Sequence, residues 1–133
     1  MAITLTDAVR NAACNAIVDL VDAGAGAGTL EIKSAASTTA GVNEVATLTF
    51  STTAFGAAGA SVQGRADADT ITPDTAAAGG TAGFYTVFDS NNLAIWQGTV
   101  AASGADLNLS SVTITGGDTV SVSSFTLTVP ATA

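Results

Sequence analysis

The sequence predicts a mainly β protein, an antiparallel, jelly-roll-like β-sandwich preceded by one N-terminal α-helix. Three observations carry that expectation. A helical periodicity occupies the opening residues and does not recur. From Thr29 onward, short apolar runs alternate with polar residues and are separated by clusters of Gly, Asn, Asp and Ser. Thr and Val, which suit a pleated and half-buried surface, are abundant across the same region. The 133 residues fit one domain long enough to bury a core without disulfides. With Cys14 as the one cysteine, no intramolecular disulfide can form, and a lone thiol suits a reducing compartment.

The helix is expected over residues 6–23. Thr6 is its N-cap and Asp7 sits in the first turn, where the helix dipole favours a negative charge. Leu5, Val9, Ala12, Ala13, Ala16, Ile17, Leu20 and Val21 share one side, and Asp7, Asn11, Asn15, Asp19 and Asp22 share the other. That pattern predicts a buried, alanine-rich stripe and a solvated polar face. Gly24 ends the helix, and the alternating Ala and Gly of 23–28 read as a flexible connector. The chain thus divides into a helix with its linker, residues 1–28, and a β-sandwich, residues 29–133.

Strands are expected at Leu30 and Ile32, at Ala46 to Phe50, at Phe84 to Phe88 and at Leu93 to Val100. Shorter ones follow at Leu107 and Leu109, at Val112 and Ile114, and from Val120 to Val129. Asp89-Ser90-Asn91-Asn92 reads as a hairpin turn. In the last strand the apolar positions shift from even (Val120, Val122) to odd (Phe125, Leu127, Val129), which predicts a bulge or bend at Ser123-Ser124. Residues 34–43 and 54–80 read as long loops, of the kind that carry function or bind something.

Charge narrows the function. Residues 1–65 hold five acids and three bases, and residues 66–133 hold six acids and no base, for a net charge of −8. Phosphate backbones require clustered Lys and Arg, so nucleic-acid binding is excluded. No stretch is apolar and long enough to span a membrane, and Met1–Asp7 lacks the positive segment of a secretion signal. A soluble protein made in the cytoplasm is the expectation.

No histidine is present, which removes the usual general base and the commonest metal ligand. Cys14, mid-helix beside alanines, reads as a packed space-filler. Asp67, Asp69 and Asp74 offer oxygen ligands suited to Ca²⁺, but the spacing of a calcium loop is missing and a solvated acidic loop is the better reading. No enzyme activity, cofactor or metal is expected. Among the aromatics, Phe84 and Phe88 share one face at period two and are assigned to the core. Tyr85 and Trp96, with polar tips that tolerate an interface rim, are assigned to a partly exposed contact.

Five segments in order carry a resemblance: Ile3-Thr4-Leu5-Thr6-Asp7-Ala8-Val9-Arg10-Asn11, Thr29-Leu30-Glu31-Ile32, Ala46-Thr47-Leu48-Thr49-Phe50, Gly80-Thr81-Ala82-Gly83-Phe84-Tyr85 and the closing Val120 to Thr128. The chain resembles a family of small proteins encoded among the structural genes of tailed bacteriophages and prophages. It departs from that pattern in the length of 54–80 and in its few basic residues. The resemblance implies a virion component, and within that class a capsid decoration (cement) protein on the capsid exterior. Its partners would be the major capsid protein, other virion proteins and further copies of itself, a trimer being favoured. Alternatives are a tail- or fibre-associated protein that contributes to host-surface recognition, and a carbohydrate-binding β-sandwich module. The expected interface comprises Leu5, Val9, Ala13 and Ile17 on the helix, with Tyr85 and Trp96.

Overall fold

In the computed structural model, which describes residues 3–132, the helix begins as its sequence dictates. Thr6 is extended (φ −71°, ψ 160°) and its hydroxyl accepts the Val9 N–H at 3.4 Å. α1 spans Asp7–Asp19 and tightens into a 3-10 turn at Leu20–Asp22. The connector that follows is pinned rather than flexible. Gly26 donates its N–H to the Ser90 hydroxyl (3.2 Å), and Gly28 gives its carbonyl to the Phe50 N–H (3.0 Å). Gly28 lies so close to Val21 and the Phe88 carbonyl that any β-carbon there would collide with both. Close approach, rather than freedom, is what this glycine supplies.

A five-stranded sheet has the order β2-β1-β5-β6-β7. Its strands are β1 (Thr29–Lys33), β2 (Glu44–Thr49), β5 (Phe84–Phe88), β6 (Ala94–Ala101) and β7 (Leu107–Asn108). The first three pairings are antiparallel, with Leu30 opposite both Leu48 and Val87, and Tyr85 opposite Gly98. The last, β6 with β7, is parallel. Asp106 explains that exception to the expected antiparallel pattern. Its carboxylate accepts from the Thr99 N–H (2.9 Å) and hydroxyl (3.0 Å), so the chain returns beside the point it left and runs on in the same direction.

The predicted hairpin joins β5 to β6. Asp89 Oδ1 accepts the N–H groups of Asn91 (2.8 Å) and Leu93 (2.9 Å), and Asn92 takes a left-handed φ of 63°. Two short ribbons complete the strands: β3 (Arg65–Asp67) with β9 (Thr126–Thr128), and β4 (Gly80–Thr81) with β8 (Thr113–Ile114). β3 and β4 fall inside the stretch expected to be loop. Each is too short, at three and two residues, to register as an alternating run. The chain bends at Ser123 as expected. Val120 bridges Asp74, and the strand resumes at Thr126 against β3.

Both faces of the sheet are covered at its central strands, β1 and β5. On one, Leu30, Ile32, Leu48, Tyr85 and Val87 join a single buried cluster with Cys14, Val18 and Val21 of the helical segment. The helix and the β region therefore share one core. The other face carries Glu31, Lys33, Thr86 and Phe88, all buried. Its cover is the β1–β2 loop, residues 34–43.

The side chain of Lys33, fully buried, organises that loop. Its ammonium donates to Glu31 Oε1 (2.8 Å), the Thr39 carbonyl (3.0 Å) and the Val42 carbonyl (2.7 Å), and lies 5.4 Å from the centre of the Phe88 ring. Three donors meet three acceptors, so the buried charge is fully satisfied. Glu31 Oε1 also accepts the Gly41 N–H (2.7 Å), and Thr86 donates its hydroxyl to the Ser37 carbonyl (2.8 Å). Phe88 thus stacks beneath a cation on the loop side, while Tyr85 and Val87 occupy the main core. Phe88 is buried as expected, though on the loop-covered face rather than in the main cluster, and Phe84, on the same face, is half-buried.

Replacing one member of a buried ion pair leaves an uncompensated charge and costs about 3–5 kcal/mol. Lys33→Met should lower stability by that amount in urea titration. The double variant Lys33→Met, Glu31→Leu should regain only part of the loss, because the Thr39 and Val42 carbonyls and the Gly41 N–H still lose their partners.

Candidate interaction surface

Helix orientation decides which residues face outward, and it differs from the periodicity expected. Cys14, Val18 and Val21 point inward, each at most 2% exposed. Asn11, Asn15 and Asp22 lie on the same inward side, not on a solvated face. Asn11 Oδ1 accepts the Gly64 N–H (2.6 Å), Asn15 Oδ1 accepts the Ala58 N–H (2.8 Å) and Asp22 Oδ1 accepts the Ala54 N–H (3.0 Å). The loop beneath the helix carries buried N–H groups that must find acceptors, and these three side chains supply them. Their spacing, together with Cys14 and Val18, is itself helical. That was the available signal, and polarity concealed it.

Arg10 adds a further clamp. Its guanidinium donates to the Val129 carbonyl (3.1 Å), the Gln63 carbonyl (2.9 Å) and Asp7 Oδ1 (3.2 Å). The helix packs on β3 and β9, with Cys14 Sγ 3.4 Å from the Leu127 carbonyl oxygen.

The stripe left outside is apolar. Val9 and Leu20 are 50% and 51% exposed, Ala12 and Ala16 are exposed between them, and Ile3 just before the helix is 68% exposed. Ala13 and Ile17 are half-buried along its margin, as is Leu5, whose N–H is bonded to the Ala131 carbonyl. Of the expected helical contact residues, Val9 is fully presented and the other three form the seam with the body.

Tyr85 is not at a rim. It is 4% exposed, its ring lies over Gly98, where a side chain would strike it, and it meets Phe125 edge-on at 5.2 Å. Trp96 is half-buried, stacked near-parallel on Phe125 at 6.2 Å, with its indole N–H reaching the Tyr85 hydroxyl at 3.3 Å. The pair forms an inner polar contact within an aromatic cluster. A strand covered on both faces buries Tyr85, whichever way alternation directs it.

All three basic side chains are engaged internally. Arg65 Nε lies 2.8 Å from Asp67 Oδ1, as Lys33 is paired with Glu31 and Arg10 with Asp7. The surface therefore offers carboxylates, hydroxyls and the helix stripe. Among the described residues no group of three or more His, Cys, Asp or Glu side chains could hold a metal, and no helix is long and apolar enough to cross a membrane. Asp67 binds Ser61 and Arg65, and Asp74 accepts the Thr47 and Ala76 N–H groups, so these acids are already committed to local structure.

Comparison with protein-family models, with curated proteins and with solved structures finds no match.

Burial pushes the Tyr85 phenol up; the Trp96 hydrogen bond works against that shift, and the nearby Asp106 charge adds to it. Burial likewise raises the Cys14 thiol. Both groups hold their protons more tightly folded than unfolded. Their contribution is therefore complete below the unfolded values, about 8.5 for the thiol and about 10 for the phenol, and is lost as pH rises beyond them. Urea midpoints measured from pH 8 to pH 11 should fall with rising pH, and Tyr85→Phe should flatten the decline above about pH 10.

Proposed function

We propose that this protein is a capsid decoration protein of a tailed bacteriophage or prophage. It binds the outside of the major capsid protein shell and stabilises it, acting as a homo-oligomer with the trimer favoured. The observation that carries the reading is the outward stripe of Val9, Ala12, Ala16 and Leu20, on a helix clamped to the body by Asn11, Asn15, Asp22 and Arg10. A rigid helix with small residues at its centre lets a partner approach closely, and its placement requires no ordering on binding. The resemblance of the five sequence segments points the same way.

Such a protein works by contact and avidity without catalysis. Each copy contributes a moderate interface, and a repeated lattice of contacts makes loss of the whole layer rare. An acidic exterior that repels phosphate suits a protein outside a shell packed with DNA. We further read the five-stranded sheet and the short ribbons as facing layers of a jelly-roll-like sandwich, with the aromatic cluster between them. The tail- or fibre-associated alternative draws on a Tyr85–Trp96 contact together with the long loops, and the burial of Tyr85 removes one part of that support.

The test is quantitative mass spectrometry of purified particles, with the major capsid protein as internal ruler. A copy number comparable to that protein supports a decoration layer; a handful of copies would place the protein elsewhere. Removal of residues 1–23 would open the core, so point variants serve better. Ala12→Glu with Ala16→Glu should change stability by no more than about 0.5 kcal/mol each, as is usual for surface sites. The pair should weaken particle binding at least about tenfold, equivalent to ~1.4 kcal/mol.

A further inference from the structure

We infer that the β1–β2 loop, residues 34–43, is a strap that opens and closes over the sheet as one unit, latched by the Lys33 ammonium. Closed, it buries the one lysine of the chain beside the Phe88 ring; open, it presents both on the second face of the sheet. Neither the strap nor its latch depends on the capsid reading.

The anchorage of the loop is the first observation. None of its ten residues is buried; Ser37 and Ala40 are half-buried and the other eight are exposed. Among the described residues, four hydrogen bonds tie it to the sheet. Lys33 donates to the Thr39 and Val42 carbonyls, Gly41 donates to Glu31, and Thr86 donates to the Ser37 carbonyl. The Ser34 N–H meets the Asn43 carbonyl at 2.9 Å and closes the loop at its base. Below that point Thr29–Ile32 pair with Ala46–Thr49 without help from the loop. Opening therefore breaks four bonds and leaves the ladder beneath intact.

What opening exposes is the second observation. The floor is Glu31, Lys33, Thr86 and Phe88, each at most 4% exposed, and three of the four carry polar groups that water solvates. A buried ion pair recovers on hydration much of what its desolvation cost. Lifting the loop therefore costs less than deleting one partner beneath it. Phe88 is the one apolar member of that floor, and it stands apart from the main cluster of Leu30, Ile32, Tyr85 and Val87. Segments that bury so little apolar surface open well below the global unfolding free energy.

The latch fits a primary ammonium. Its three N–H donors meet the Glu31 carboxylate at 2.8 Å and two loop carbonyls at 3.0 and 2.7 Å, with the centre of the Phe88 ring 5.4 Å away. Two of the three acceptors belong to the loop, so the cation closes it by gathering its backbone. A guanidinium, planar and fork-shaped, lacks this threefold match.

The test on the full chain is acylation of Lys33 by an N-hydroxysuccinimide ester over a range of low urea concentrations, read by mass spectrometry of the Lys33 peptide. Labelling should run faster than global unfolding allows and rise only slightly with urea, because little surface is exposed. A rate that climbs with the full urea slope of global unfolding would overturn the strap. Thr86→Val keeps the side-chain shape and deletes one anchor, so labelling should quicken about fivefold, as one hydrogen bond implies. An unchanged rate in that variant counts against the inference. For the latch, Lys33→Ala leaves the acceptors in place, and n-propylammonium supplies the missing atoms. It should restore slow amide exchange at Gly41, whereas n-propanol and tetramethylammonium should not. Equal restoration by n-propanol would show that volume, and not the ammonium, holds the loop. If Lys33→Ala does not fold alone, recovery of the fold with n-propylammonium but not n-propanol is the same test, since a ligand of the native state drives folding by mass action. No recovery with n-propylammonium would overturn the latch.

Discussion

Phe125 is the point on which the architecture converges. Phe50, Phe55, Tyr85 and Trp96 all place their rings within 6.2 Å of its centre, from three separate segments. Aromatic pairs of this kind contribute about 0.5–1.5 kcal/mol each beyond the area they bury. Their geometric effect is larger. The ring ties β5 and β6 to the Phe50–Phe55 turn and to the C-terminal segment, which has no long strand of its own. Because Phe125 is fixed, the C-terminal segment stays on the core although the chain bends just before it, at Ser123.

The opposite face of the sheet follows a different principle. Packing there is polar: an ammonium, a carboxylate and a hydroxyl anchor a ten-residue loop across strands that would otherwise face water. Hydrophobic burial would have covered the face without fixing the loop. Directional hydrogen bonds to the Ser37, Thr39 and Val42 carbonyls give it one conformation. The small number of charged residues makes this arrangement unusual, since one of three cations is spent inside.

How much of this could be read from sequence depends on the range of the interaction. The helix with its Thr6 cap, the β character from Thr29, the Asp89–Asn92 turn and the bend at Ser123 rest on local chemistry and are legible in sequence. The parallel β6–β7 pair depends on Asp106 reaching back to Thr99, which no alternation reveals. Helix orientation is the sharpest case. Asn11, Asn15 and Asp22 read as solvated because they are polar, yet N–H groups some thirty to fifty residues away require them inside. Tyr85 fails for a related reason, since alternation marks one buried face and this sheet has two. The candidate surface was accordingly half legible: the helix was identified, but Leu5, Ala13 and Ile17 form its seam and Val9 with Ala16 and Leu20 its exposed stripe.

The placement of the three basic residues has one more consequence. Arg10 is locked in a helix, Lys33 is sealed beneath a loop and Arg65 lies in a paired strand. A protease that cuts after Lys or Arg must draw an extended, accessible segment into its cleft, and none of these positions provides one while the fold persists. The sole lysine is equally out of reach of amine-directed modification. In the folded protein, then, Lys33 is sealed off and Arg10 mostly covered, while Arg65, about 33% exposed, is held in a paired strand, so cleavage after any of the three requires local opening.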